Sequence, residues 1–473
     1  MFKTKISFGT AGWRGIIADD FTYDNVRIVS RAIADFLNSE STSEPEIFVG
    51  YDSRFMGEKF ARAVSEVMAA NGIKVYYSVK DIPTPAISQI IISKKLDGGI
   101  NITASHNPPE YSGVKFSPAW GGPALPETTE KIEKNCENIV KNGQKVNFTA
   151  FEQAVAEDDI EEVDWISMYK KRLSELVDID IISKKCAMVY DPMNGTGRNI
   201  LKDIIPRANV KVINGNRDVL FGGHRPEPAR EFIGELIELV KQGPYDIGLA
   251  TDGDGDRFGI VDEDGTFITP NEVLGLALYH LCENKGYSGV AARSVMTSSF
   301  MDAVAEKYGV KMLETPVGFK YIGDISVKQN MVVGGEESGG LTIGGHLPEK
   351  DGILACLLMA ELRATCEKSL KKILRELYDR VGKFVSVRKN FTITDDKKEE
   401  IQQKLARIDP SSIGDYRVNE VVKIDGYKYI LDEKNSWLGI RFSGTEPVIR
   451  LYAESNSEKN VENIVDSARA EFL

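Results

Sequence analysis

Short runs rich in β-branched residues recur along this chain, and most end in a polar, glycine-rich loop. EIFVGYD ends at Asp52, GGINITAS at Ser105, and CAMVYDPMNGTG in Gly195 and Gly197. YDIGLATDGDGD ends in an acidic loop that begins at Asp252, and MVVGGEESGG turns at Glu336. Helix-like stretches such as EKFARAVSEVMAANG, REFIGELIELVKQG and NEVLGLALYHLCENKG lie between them. This alternation predicts βα units and mixed, largely parallel, buried sheets. In such sheets functional groups collect in loops beyond the strand C-termini, so several chemically loaded loops imply a site drawn from several domains.

The chain has 473 residues, enough for several domains with their own cores. The pattern changes near Val381. FVSVRKNFTIT, VVKIDGYKYILD and WLGIRFSG alternate like strands, and NSEKNVENIVDSARAEFL reads as a final helix. This predicts a C-terminal α+β domain of about a hundred residues. TDDKKEEIQQKLARIDPSS reads as a surface helix and loop, and the acidic stretch AEDDIEEVD, 156–164, as a solvated segment near the first domain boundary. The expected domains are 1–157, 158–260, 261–378 and 379–473.

Lys+Arg 59 against Asp+Glu 71 gives a net charge of −12, which argues against a nucleic-acid partner. The five cysteines are scattered without a C-x-x-C and read as free thiols of a reducing compartment. MFKTKISFGTAGWRG lacks the apolar core of a secretory signal, and the apolar run from Gly352 to Ala360 is too short to span a bilayer. The expectation is a cytoplasmic protein with no membrane partner.

TDGDGDR, Thr251 to Arg257, sets three carboxylates at alternate positions, with Gly253 and Gly255 permitting sharp turns. They can converge on one hard cation, and Mg²⁺ suits few carboxylates used together with phosphate oxygens. An EF-hand loop needs glycine where Arg257 stands, and helices where the flanks here read as strands. A phosphatase loop of the D-x-D-x-T/V type needs a hydroxyl or valine at its fifth position, which is Asp256. In TASHNPPEYSGVKF, Ser105 alone reads equally as a turn or cap residue or as a nucleophile. His106 adjoins it, and sequence neighbours rarely meet as nucleophile and base. Lys115 can be swung back by Pro108, Pro109 and Gly113, and in a cationic pocket such a lysine can lose its proton and act as a base. GGEESGG offers a carboxylate and a hydroxyl for sugar hydroxyls, and alone it reads at least as well as a plain turn with a helix cap. RFSGTEPVIR offers two guanidinium groups, hydroxyls and backbone N–H groups for a phosphate.

GTAGWRG, TASHNPPEYSGVKF, DGDGDR, GEESGG and RFSGTEPVIR, in that order from Gly9 to Arg450, resemble the α-D-phosphohexomutase superfamily. The resemblance implies three related α/β domains and a C-terminal α+β phosphate-binding domain around a central cleft. It implies that Ser105 is carried as phosphoserine and passes its phosphoryl group to a hexose monophosphate. A hexose 1,6-bisphosphate forms on the way and also serves as activator. One Mg²⁺ is expected at Ser105, Asp252, Asp254 and Asp256. Arg14 and Lys115 resemble the family's cationic residues near the phosphoserine, with Lys115 as general acid/base and His106 in support. Arg257, Lys320, Glu336, Ser338, His346 and Lys350 are expected to bind the sugar. Arg441, Ser443, Gly444, Thr445 and Arg450 are expected to grip the phosphate that is not transferred. HLPEKDG after GEESGG, together with TPVGFKYI, points to glucose 1-phosphate and glucose 6-phosphate. Mannose phosphate, or both sugars, is the alternative, and glucosamine phosphate is less favoured. Phe442 stands where proline is usual, and PEPAREF departs from the usual PEP-Asn-Leu. A phosphosugar is the expected partner, and a monomer or homodimer the expected state.

Overall fold

Four sheets organise the protein in the computed structural model, which describes residues 6–9, 12–407, 410–442 and 448–473. The first contains β1 (Trp13–Ile16), β2 (Glu46–Tyr51), β3 (Lys74–Ser78), β4 (Gly98–Ile102), β5 (Tyr111–Pro118) and β6 (Ile160–Val163), in the order β1-β5-β4-β2-β3-β6. The second contains β7 (Met188–Asp191), β8 (Val210–Val212), β9 (Ile247–Thr251), β10 (Phe258–Asp262) and β11 (Phe267–Ile268), in the order β11-β10-β9-β7-β8. The third contains β12 (Val290–Ser294), β13 (Lys311–Thr315), β14 (Met331–Glu336) and β15 (Gly340–Ile343), in the order β13-β12-β14-β15.

These three sheets share one plan. A parallel core, β4-β2-β3-β6, β9-β7-β8 or β14-β12-β13, turns antiparallel at one edge. The change occurs at β4/β5, β9/β10 and β14/β15. The loops at those junctions are the serine loop, the acidic loop and the GEESGG loop. The fourth sheet is wholly antiparallel. It comprises β16 (Val385–Thr392), β17 (Ser412–Ile413), β18 (Tyr416–Val422), β19 (Tyr427–Leu431), β20 (Trp437–Phe442) and β21 (Val448–Ser455). Its core includes Ile401, Leu405, Ile440 and Ile464, so the charged segment after Thr394 is a helix, Asp395–Arg407, that buries two apolar residues.

Regular elements lie at or near the three expected boundaries. The acidic stretch near residue 160 holds β6, which pairs parallel to β3. Ile160 and Val163 are buried while Glu161 and Glu162 face water, a charged edge of the kind that resists further pairing. The boundary expected at 260 falls inside β10, and the one at 378 inside the helix Leu370–Val381. The acidic loop is the middle of a hairpin rather than its end, which carries the second sheet on to Ile268.

The apolar run after Asp351 forms a helix, Gly352–Cys366, buried on nearly every side. It packs on β9, β10 and β15 and locks the second sheet to the third. Asp351 caps it, accepting from Leu354 N at 2.8 Å. All five cysteines are free thiols. No helix among the described residues is long and apolar enough to cross a membrane.

Candidate active site

The serine loop is built from its backbone outward. Asp52, just past the end of β2, is fully buried and accepts from Arg54 N at 2.9 Å, Arg54 Nε at 3.0 Å and Thr103 Oγ1 at 2.6 Å. Burial nonetheless pushes its carboxyl up to about 6, against the pull of Arg54. The buried Arg54 fork reaches four backbone carbonyls of the loop: Ser105 at 2.6 Å, Asn107 and Pro108 at 2.7 Å, and Tyr111 at 3.0 Å. Ser105 N donates to Thr103 Oγ1 at 2.9 Å. These contacts hold Ser105 in a left-handed conformation, φ 53°, which L-residues adopt only under constraint.

That conformation aims Ser105 Oγ at Asp252 Oδ2, 2.7 Å away. It also brings Oγ within 3.3 Å of His106 Nδ1, so these sequence neighbours do meet, contrary to the expectation for adjacent residues. Burial, and then the nearby Arg257 and Arg14, hold His106 well below its usual pKa. Arg14, on β1, donates to Asn107 Oδ1 at 2.5 Å. Burial and Arg257 lower its pKa.

The acidic loop meets the serine loop backbone to backbone. A Cβ on Gly253 would lie 2.9 Å from the Ser105 carbonyl oxygen, and Gly255 adopts φ +73°. Glycine at both places lets the loops touch. Asp252, Asp254 and Asp256 are completely buried. One oxygen from each lies within 4.8 Å of the others. Asp254 Oδ2 accepts from Thr84 Oγ1 at 2.6 Å and from Lys115 Nζ at 2.6 Å. Asp256 Oδ2 accepts from Lys115 Nζ at 2.9 Å and from Lys350 Nζ at 2.7 Å. Asp254 Oδ1 and Asp256 Oδ1 are buried without a hydrogen-bond partner among the described residues.

The charges follow from this arrangement. Burial first, then Asp254 and Asp256, raise Asp252 well above the usual carboxylate range. Burial also opposes ionisation of Asp256, but Lys115, Lys350 and Arg257 outweigh it and hold that carboxyl well below its usual value. Asp254 is lowered too, Lys115 and Thr84 overcoming burial and the neighbouring Asp256. Buried carboxylates with unpaired oxygens, grouped around one point, suit a hard divalent cation. The donor set therefore fits Mg²⁺, with Ser105 at its edge.

Burial opposes the charge on Lys115, yet Asp254 and Asp256 overcompensate and raise its pKa above 10.5. Lys350 pairs with Asp256 at 2.7 Å. The His346 ring is buried and bonds to Asp351 Oδ2 at 2.8 Å; Asp351 Oδ1 also accepts from Tyr169 at 2.8 Å. The ring thus sits in the seam between the second and third domains.

Glu336 ends β14 and accepts from Gly318 N at 2.7 Å. Burial and then Glu337 push its carboxyl up to about 7. Glu349, beside Lys115 in a small recess, is also pushed up by burial to about 7. Lys320 is half-buried, with its Nζ 5.5 Å over the Tyr321 ring, and burial lowers its pKa. A cavity of about 290 Å³ opens where the second, third and fourth domains face one another. Arg257, Ser338, Arg388, Trp437 and Tyr452 are among the residues that line it. Arg257 Nη1 lies 4.0 Å from Glu227 Oε1. In the fourth domain Arg441 and Arg450 stand directly opposite each other on β20 and β21. Ser443, Gly444 and Thr445 lie outside the described residues.

Sequence reasoning missed Arg54, Thr103, Thr84 and Glu349. YDSR did carry one signal for Arg54, an aspartate at a strand end with an arginine two positions on. Arg198 fixes the second domain to the first, donating to both Asp81 oxygens at 2.9 and 2.6 Å and to Ser53 Oγ at 2.7 Å.

Comparison with known proteins gives the same outline. Domains I, II and III of the phosphoglucomutase/phosphomannomutase alpha/beta/alpha type match residues 5–143, 167–265 and 269–381, and the C-terminal domain of the same family matches 389–471. A phosphoglucomutase/phosphomannomutase of Thermococcus kodakarensis is 30% identical over 97% of this chain and 96% of its own. A phosphoglucosamine/phosphogalactosamine mutase of Sulfurisphaera tokodaii is 31% identical over 98% of each. The crystal structure of a putative phosphomannomutase from Thermus thermophilus superposes with a TM-score of 0.84 at 32% identity, over 99% of both chains. The chain belongs to the phosphoglucomutase/phosphomannomutase family of phosphohexomutases, isomerases that transfer a phosphoryl group.

Proposed function

We propose that the protein interconverts a hexose 1-phosphate and its 6-phosphate, with glucose as the preferred sugar and Ser105 as the phosphoryl carrier. The observation that carries this reading is the 2.7 Å contact of Ser105 Oγ with Asp252, beside two buried carboxylates whose outer oxygens have no partner among the described residues. A nucleophile held by constrained backbone next to such a cluster is poised for phosphoryl transfer.

In this reading the bond from phosphorus to Ser105 Oγ breaks as one forms to a sugar hydroxyl oxygen. A hexose 1,6-bisphosphate results. The other phosphate then returns to Ser105, leaving the isomeric monophosphate. Mg²⁺ held by Asp252, Asp254, Asp256 and the serine phosphate would neutralise charge on the phosphoryl oxygens. Lys115 and Arg14 flank Ser105 as cations. Lys115 is the proposed general acid/base: its ammonium gives a proton to the departing Ser105 oxygen, and the proton lost by the attacking sugar hydroxyl replaces it. His106, neutral and 3.3 Å from Oγ, is the other group placed to share that proton.

Arg257 and Ser338, which line the cavity, are the proposed ligands for the sugar, together with Glu336 and Lys320. Arg441 and Arg450 face each other across paired strands, where like charges repel unless an anion lies between them. A phosphate there, gripped also by the loop of Ser443, Gly444 and Thr445, orients the sugar for reaction at its other end. The preference for glucose rests on HLPEKDG and TPVGFKYI. Mannose phosphate is the second reading, since relatives of similar identity carry names for both sugars and for glucosamine. Turnover of glucose, mannose and glucosamine 1-phosphates, primed with a trace of glucose 1,6-bisphosphate, tests the choice. The highest kcat/KM on glucose 1-phosphate is expected. A higher value on another sugar overturns the sugar assignment, and no turnover of any overturns the mutase reading.

A further inference from the structure

The hairpin turn between β18 and β19 places one side chain, Asp425, in the seam of the third and fourth domains. Its Oδ2 accepts two hydrogen bonds, from the Val317 backbone N–H at 3.1 Å and from Arg441 Nε at 3.1 Å. Val317 adjoins Gly318, whose own N–H donates to Glu336 at 2.7 Å. One connected path therefore runs from Arg441 through Asp425 and the 317–318 backbone to Glu336. Its two ends are the residues assigned above to the distal phosphate and to a sugar hydroxyl.

The geometry at Arg441 matters. A guanidinium has five N–H donors in a rigid fork, and the Nε edge and the two-Nη edge serve different partners. Asp425 takes the Nε edge, which leaves the Nη groups for a bidentate anion. The pair is partly shielded, with side-chain exposures of 26% and 14% for Asp425 and Arg441, so water screens it less than a surface pair. The facing Arg450 repels Arg441, and the ion pair with Asp425 offsets that repulsion.

We propose that Asp425 is a positioning residue. It sets the Arg441 fork for the phosphate and, through the same oxygen, ties the fourth domain to the loop that orients Glu336. This rests on the phosphosugar reading of the site and names how its two ends are held in register.

The test uses the full chain carrying Asp425→Ala, Asp425→Asn, Arg441→Ala, and the double substitution of Asp425→Ala with Arg441→Ala. Calorimetric binding of glucose 6-phosphate and of inorganic phosphate is measured, together with turnover of hexose 1-phosphate. Asp425→Ala is expected to weaken glucose 6-phosphate binding at least tenfold and to raise KM alike, with kcat changed less than threefold. Asp425→Asn, which keeps an acceptor oxygen without the charge, is expected to weaken binding at least threefold. In the Arg441→Ala background, Asp425→Ala is expected to add less than a twofold loss. Unchanged affinity in both Asp425 variants, full additivity in the double variant, or a fall in kcat at constant KM overturns the proposal. If wild-type protein turns over no hexose 1-phosphate while phosphate binding keeps the non-additive pattern, the mutase reading fails and the role of Asp425 stands.

Discussion

The Arg54 guanidinium donates to the carbonyl oxygen of Ser105 at 2.6 Å while its Nε is held by Asp52 at 3.0 Å. A buried ion pair thus grips the backbone of the loop that carries the proposed phosphoryl carrier. The left-handed Ser105 is costly by about 1–3 kcal/mol and needs such a clamp. Arg54→Lys keeps the charge but loses the fork. It strands buried loop carbonyls that the fork had satisfied and is expected to cost about 1–3 kcal/mol of unfolding free energy, the scale for a buried polar group left without a partner. Denaturant unfolding checks this, and a loss of less than about 1 kcal/mol, the worth of a single ordinary hydrogen bond, would show that the clamp is dispensable.

Ser105→Ala removes the proposed carrier but none of the Arg54 contacts. Mutase turnover is expected to vanish, with unfolding free energy changed by about 1 kcal/mol for the lost hydrogen bond to Asp252. Intact-mass analysis of the unsubstituted protein is expected to show a species heavier by one phosphate, absent from the variant. Near-normal turnover by the variant would sink the phosphoserine mechanism.

Asp254→Asn keeps an oxygen for Thr84 but removes one charge from the carboxylate cluster. Activity at saturating Mg²⁺ is expected to fall about 10²-fold or more, the scale for losing a group that stabilises transition-state charge. The half-saturating Mg²⁺ concentration is expected to rise. A magnesium titration that overlays the wild-type curve would move the metal elsewhere.

Glu336 gives a pH-dependent prediction. Its folded pKa of about 7 lies above the ordinary 4.5, so the folded state holds this proton more tightly than the unfolded chain does. Stability supplied by the neutral form is complete below pH 4.5. It is lost as pH rises to about 7, a total of about 3 kcal/mol. Glu336→Gln keeps the acceptor for Gly318 and removes the ionisation. The variant is therefore expected to gain thermal stability over wild type about one unit above the folded pKa, with little gain at the unfolded value of 4.5, while losing sugar turnover. Melting curves at the two pH values check it, and an equal difference at both would refute the assigned cause.

Much of the architecture was legible because period-two and helical patterns are local. The strands before Ser105, Asp252 and Glu336 each read as buried runs, and the structure has strands there. The misreadings lie where local pattern and packing diverge. β6 shows two exposed glutamates between two buried apolar residues, a four-residue pattern too short to separate from a solvated acidic stretch. The bond from His346 to Asp351, whose other oxygen caps the helix after it, carries no signal in the sequence. Arg54 and Thr84 act on partners 51 and 170 positions away, beyond any spacing rule. The meeting of Ser105 and His106 depended on a single positive φ that no composition signals.

The three junctions at β4/β5, β9/β10 and β14/β15 place the proposed phosphoryl carrier, the acidic cluster and the proposed sugar carboxylate each at the rim of a different sheet. No fragment containing one sheet holds two of these parts, so chemical competence belongs to the assembled chain alone. Alignment becomes a matter of how whole bodies seat against one another. Seams such as Arg198 on Asp81 then act as focusing adjustments, and a change there can blur the reaction without touching a reacting atom.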